Sequence, residues 1–177
     1  MERLNQLSTA VNSLKGLDFN LKPKQVRILD AIHDGFDVLA MLPTGYGKSI
    51  CFQLSPSFLK QTTDKENIVV VIAPLNAILH DQMTSMQAKG LRPEMLPHRR
   101  ENVIPSLFDT LSSEEEDADD RPRTRWPKKI VKADLNVLIA HPESFLNEDT
   151  LHLLRTKVYQ KRVRAIVVDE AHLVHSW

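Results

Sequence analysis

Gly45-Tyr46-Gly47-Lys48-Ser49 is the segment that most restricts what this chain can fold into. It follows an apolar run, Asp37-Val38-Leu39-Ala40-Met41-Leu42, and precedes a helix-forming stretch from Ser49 to Leu59. The run ends in Pro43-Thr44-Gly45, which reads as a strand entering a tight loop. Glycines let such a loop curl until several N–H groups converge, and the following helix N-terminus adds partial positive charge. That cradle suits phosphate oxygens. Lys48 would bring a point charge to β- and γ-phosphates, and Ser49 a hydroxyl to Mg²⁺. The wider pattern opens with a further glycine, whose place is held by Leu42. At a glycine usage of about 7%, the pentapeptide arises by chance in on the order of 1% of chains this long.

A strand–loop–helix unit needs a sheet to belong to, and the rest of the sequence supplies one. Asn67 to Ala73 is β-branched without polar alternation, which predicts a strand buried on both faces. Leu75, Ile78, Leu79, Met83 and Met86 mark a helix after it. Asn136 to Ala140 predicts a third strand, and Leu151, Leu154 and Val158 another helix. Val163 to Val168 predicts a fourth strand, leading into Asp169-Glu170-Ala171-His172. Alternating strands and helices argue for a parallel sheet in an α/β domain. Ahead of it, Leu4, Leu7, Val11 and Leu14 describe one helix face, and Pro23 opens a second helix running to about His33.

The 177 residues fit one domain. With 23 basic and 23 acidic side chains, the chain is no histone-like polycation, although local patches can still meet phosphates. A single cysteine excludes a disulfide framework and any Cys-rich zinc module in these residues. The longest apolar run, Ile68 to Ala73, is far short of the ~20 residues that span a bilayer. The first residues lack the charged-then-apolar order of a secretory signal, so a soluble intracellular product is expected.

One stretch breaks the rhythm. Ser112 to Asp120 carries six acidic side chains, and Arg121 to Lys132 six basic ones. Blocks of this kind bury too little apolar surface to offset ordering entropy, which predicts a charged, mobile insertion at about 98–130. It reads as a tolerated surface insertion, as a phosphorylation site at Ser112 or Ser113, or as a regulatory or DNA-facing basic segment. A short helix from Val103 to Leu111 is expected just before the acidic block.

The acidic pair at the last strand's end is the second chemical feature. Ligands of α/β sheets bind at the C-terminal ends of the strands, where Asp169 and Glu170 fall. Asp169 can hold Mg²⁺ through water while Glu170 orients and deprotonates the attacking water. His172 and His175 are three apart, but no Cys or third ligand accompanies them as zinc would need. A hydrolase elbow, Gly-x-Ser-x-Gly, does not occur.

Five segments, in order, resemble the RecQ-type DNA helicases of helicase superfamily two, with a DEAH-type box. Leu21-Lys22-Pro23-Lys24-Gln25 is similar to the family's adenine-reading motif, with Lys22 where an Arg is usual. Met41 through Leu54 resembles motif I, and Ala73-Pro74-Leu75 with His80-Asp81-Gln82 resembles motif Ia. Ala140-His141-Pro142-Glu143 resembles motif Ib, and Asp169 to His172 motif II. The resemblance implies a helical extension at 1–20 and, at 21–177, part of a first RecA-like domain: a P-loop parallel sheet with flanking helices, incomplete at its C-terminal side.

It also implies an ATP-dependent 3′–5′ DNA helicase using ATP and Mg²⁺, acting at junctions of single-stranded and duplex DNA in repair and recombination. The nucleus is then the expected compartment of a eukaryotic protein. Gln25 would read adenine, and Thr44, Gly45, Tyr46, Gly47, Lys48 and Ser49 would hold the nucleotide. Ser49 and Asp169 would hold the metal, while Lys48, Asp169, Glu170 and His172 serve catalysis, His172 relaying the nucleotide state. The family continues past the position of Trp177 into motif III and a second RecA-like domain carrying arginine fingers. In its sheet the motif III strand lies between the phosphate-loop strand and the motif II strand. The chain therefore reads as a fragment, a truncated isoform or an incomplete gene model, marginally folded by itself. Two further readings are a nucleotide- or DNA-binding module without turnover and a non-functional truncation.

Overall fold

The computed structural model describes residues 2–15, 20–59, 66–74, 76–97 and 126–176. Leu75, Trp177, the helix expected at 103–111, Ser112, Ser113 and the acidic block all lie outside these residues.

Four parallel strands form one sheet in the order β2-β3-β1-β4, with β1 Ile68–Ile72, β2 Pro93–Met95, β3 Val137–Ala140 and β4 Val163–Val168. β1 is central: Val70 pairs with Leu138 on one side and Ile166 on the other. Period-two alternation sends its side chains to opposite faces, and both faces are covered. Val69, Val71, Val137 and Ile139 meet Leu7, Leu29, Leu54 and Met86 on one side. Ile68, Val70, Leu138 and Ala140 meet Leu96, Ile130, Leu135 and Tyr159 on the other. The layers are helix, sheet, helix, as the alternation of elements requires.

The first layer is built by α1 Glu2–Ser13, α2 Pro23–His33, α3 Lys48–Phe58 and α4 Asn76–Ala88. Leu7, Ala10 and Leu14 are buried in the same core as β1, so the expected N-terminal extension is part of the folded body. Its start is held to α2 by the Arg3 guanidinium, which donates to both Asp34 carboxylate oxygens at 3.1 and 2.6 Å. That neighbour holds the Asp34 carboxyl below its ordinary range.

The second layer contains α5 Lys128–Val131, α6 Pro142–Phe145, α7 Glu148–Arg155 and α8 Lys157–Arg162. The last five residues of the expected insertion, 126–130, thus belong to the folded body. Ile130 is fully buried and Trp126, one turn earlier, packs against the same cluster. The helix expected through Leu151, Leu154 and Val158 is divided at Thr156, whose extended backbone ends α7 and opens α8. Arg162 is buried with its guanidinium spent on the carbonyl oxygens of Glu66 (2.8 Å), Leu135 (3.0 Å) and Ala133. Each of the three guanidinium nitrogens thus donates to a backbone carbonyl, which is what makes the burial tolerable.

The strand expected at Asp37–Leu42 does not form. Residues 36–43 have no regular structure, and Phe36, Leu39 and Met41 are exposed, Met41 to 83%. The reason is pairing. A strand needs a neighbour to take its backbone groups, and no strand stands beyond β4 among the described residues. β4 is consequently an edge, and open on one face: Ala165 and Val167 pack inward, while Ile166 and Val168 are exposed. The position that the resemblance assigns to the motif III strand is this open side.

Candidate nucleotide site

The tail of α3 lies at the start of β1, where the Asn67 side-chain amide donates to the Leu59 carbonyl at 2.7 Å. A helix antiparallel to its strand then begins at the strand's C-terminal end. The loop before α3 and the turn after β4 therefore lie toward the same end of the sheet, and α3 packs against both β1 and β4.

Gly45 and Gly47 both have positive φ, 75° and 90°, a region that L side chains avoid. At Gly47 space forbids a side chain as well, since a Cβ would sit 2.8 Å from Gln25 Nε2. Gly47 caps α3 from this conformation, and the Ile50 N–H bonds back to its carbonyl at 3.3 Å. The N–H groups of Lys48 and Ser49 open the helix, where no carbonyl of the helix itself can take them. Thr44, Gly45 and Lys48 are exposed, and Tyr46 and Ser49 are half-buried. The loop thus leads, largely exposed, into the open N–H groups at the start of α3, with one lysine charge beside them.

What fixes the loop is α2. Gln25, 2% exposed, donates its side-chain amide to Tyr46 O at 3.1 Å and to Gly47 O at 3.0 Å. Its Oε1 accepts from the Lys22 backbone N–H at 2.8 Å, so the same side chain closes the start of α2. Lys22 completes the clasp, its ammonium standing 4.5 Å from the centre of the Tyr46 ring. This lysine–tyrosine contact was not anticipated. The two residues are far apart in sequence, and neither local pattern nor periodicity points from one to the other.

At the opposite side, the Asp169 N–H bonds to Ile72 O at 2.9 Å, carrying the sheet ladder one residue past β4. Asp169 Oδ1 accepts the N–H of Glu170 at 3.0 Å. Glu170 takes the left-handed conformation, φ 52°, and a 3₁₀ helix follows at Ala171–Ser176. His172 Nδ1 then lies 3.2 Å from Glu170 Oε2. The sharp turn separates the two carboxylates: one oxygen of Asp169 is spent on the backbone, whereas Glu170 faces the imidazole.

The segments that resemble motifs Ia and Ib also meet. His141 Nε2 lies 2.9 Å from Pro74 O, and the Ala73 N–H bonds to Ala140 O at 3.0 Å, joining the ends of β1 and β3. Among the described residues no hydrogen bond or ion pair joins Lys48 or Ser49 to Asp169 or Glu170. The donor set between them still suits Mg²⁺. Ser49 and Asp169 offer hard oxygens only, and that ion binds through one or two protein oxygens, keeping waters and substrate phosphates as its other ligands.

Residues 22–177 match the model of the DEAD/DEAH box helicase family. The chain is similar to the ATP-dependent DNA helicase RecQ of Synechocystis sp., 31% identical over 171 residues, 97% of this chain and 30% of that protein. It is 31% identical over 163 residues to the ATP-dependent DNA helicase hus2/rqh1 of Schizosaccharomyces pombe, covering 90% of this chain and 11% of that one. With the RecQ helicase of Haemophilus influenzae it shares 24% over 179 residues, all of this chain and 24% of the relative. It spans less than a third of the length of each. A family match that begins at Lys22 and takes in the clasped glycine loop and the Asp169-Glu170 turn shows that this chain belongs to the DEAD/DEAH box helicases.

Proposed function

We propose that this chain carries the ATP-binding half of the motor of a RecQ-type 3′–5′ DNA helicase. One observation carries the reading: a glycine loop clasped by Gln25 and a carboxylate turn after β4 lie toward the same end of one parallel sheet. Thr44, Gly45, Tyr46, Gly47, Lys48 and Ser49 wrap the triphosphate, with Lys48 as the charge on its β- and γ-groups. Gln25, the side chain expected to read adenine, is 2% exposed and has both amide hydrogens on Tyr46 O and Gly47 O, so with the loop clasped it serves the nucleotide by holding the phosphate loop. Mg²⁺, when bound, neutralises charge on the phosphates and orders them for attack. Ser49 and Asp169 hold it. Glu170 accepts the proton of the attacking water, and His172, against its carboxylate, relays the outcome. The joined ends of β1 and β3, with Pro74 and His141, offer the surface for single-stranded DNA. Work on DNA places a eukaryotic version in the nucleus, in repair or recombination.

A second reading, nucleotide binding without turnover, is favoured by the unpaired segment at 36–43, which leaves the loop unanchored to the sheet on its N-terminal side. Phosphate release with and without single-stranded DNA separates the two. Release that DNA accelerates and Glu170→Gln abolishes supports the motor. ATP binding with no release in either condition supports the binding module.

A further inference from the structure

Gln25 and Leu29, one turn apart, are the buried residues of α2, and that helix packs against α3. From there the Gln25 side chain commits both amide hydrogens to the loop, on Tyr46 O at 3.1 Å and Gly47 O at 3.0 Å. Its Oε1 takes the Lys22 backbone N–H at 2.8 Å. A side-chain amide that reads adenine offers an N–H to N7 and its oxygen to the 6-amino group. Both Gln25 hydrogens are already placed, so reading a base draws at least one of them from a loop carbonyl. It also brings out a side chain only 2% exposed, one that lies close enough to Gly47 to exclude a Cβ there. Whatever is gained at the base is thus taken from the phosphate loop.

Lys22 does not select a base in its place. Its ammonium, 4.5 Å from the centre of the Tyr46 ring, has donors only. The acceptor that suits it, purine N7, is common to adenine, guanine and hypoxanthine. The grip on phosphate is independent of the base. The open N–H groups at the start of α3 and the exposed Lys48 meet any triphosphate alike.

We propose that this site holds its nucleotide by the triphosphate and discriminates little among purines, with Gln25 acting as a positioning residue of the loop. This rests on the reading of the glycine loop as a nucleotide site. The test is isothermal titration of the chain with the magnesium complexes of ATP, GTP and inosine triphosphate, purines of similar stacking area that differ at the 6-position. Magnesium tripolyphosphate, which has no base, is the fourth ligand. Wild-type dissociation constants for the three nucleotides should lie within about tenfold of one another, where a site that reads the base rejects the wrong one by about 100-fold or more. Gln25→Ala should weaken all four ligands by a common factor of about tenfold, with an unchanged far-ultraviolet circular dichroism spectrum. A wild-type preference for ATP beyond that range overturns this proposal alone, and it decides the matter even where Gln25→Ala does not fold. Unchanged affinities in Gln25→Ala, or a loss that spares tripolyphosphate, remove its positioning role and overturn the proposal as well. No binding of any of the four ligands overturns the nucleotide reading itself.

Discussion

Gln25 Nε2 lies 3.0 Å from the carbonyl oxygen of Gly47, and 2.8 Å from where a Cβ on that glycine would sit. One contact thus sets two requirements, an amide at position 25 and no side chain at 47. Gly47→Ala should lose most Mg-ATP affinity, since it combines backbone strain of about 1–2 kcal/mol with displacement of Gln25. Gly45→Ala meets only the strain, as nothing lies within 4 Å of its Cβ position, and should lose less. Gln25→Ala breaks three hydrogen bonds and should cost about 1–3 kcal/mol in urea unfolding, with weaker nucleotide binding.

Glu170 and Asp169 are held differently, which separates their expected phenotypes. Glu170→Gln keeps a side chain of the same shape 3.2 Å from His172 but removes the base. It should lower ATP hydrolysis by about 10²–10⁴-fold while leaving Mg-ATP affinity near wild type. Asp169→Asn should weaken Mg-ATP binding itself. Equilibrium titration alongside single-turnover phosphate release distinguishes the two patterns.

Burial pushes the Cys51 thiol up to about 11 from its ordinary 9.0, and the Tyr159 hydroxyl up to about 12 from 10.0. The folded chain therefore binds more protons than the unfolded chain once pH exceeds about 9. Stability from these groups is complete below that pH and is lost as pH rises through 9 to 12. Urea midpoints measured from pH 8 to 11 should fall, and Cys51→Ala should flatten the part between 9 and 11. A neutral thiol is also a poor nucleophile, so iodoacetamide at pH 8 should modify Cys51 only in the unfolded chain.

Among the described residues β4 presents an unpaired edge with Ile166 57% exposed, and Leu39 is 80% exposed in the segment before the loop. Open apolar edges recruit other chains. The isolated chain should self-associate with rising concentration, and Ile166→Lys together with Leu39→Lys should reduce this in light scattering after size exclusion.

Much of this was legible in the sequence where a pattern is local. β1, β3 and β4 follow from unbroken β-branched or apolar runs, and α2 from Pro23 and its spacing of apolar residues. β2 was not, because three residues starting with Pro93 carry no period. The run at 37–42 has strand composition, but composition cannot supply a pairing partner, and the structure leaves it unpaired. The glycine loop and the Asp169-Glu170 turn announce themselves by residue type, whereas the Lys22–Tyr46 contact and the buried Arg162 depend on tertiary neighbours. Long-range contacts of that kind leave no trace in spacing.

The central claim is that the Gln25-clasped loop binds Mg-ATP, and a far-ultraviolet circular dichroism melt with and without Mg-ATP tests it most directly. A ligand specific to the folded state adds about 2.7 kcal/mol at 100 times its dissociation constant. The account predicts a clear upward shift of the wild-type midpoint that Lys48→Ala abolishes. A midpoint indifferent to Mg-ATP, or one that shifts equally in Lys48→Ala, would contradict it.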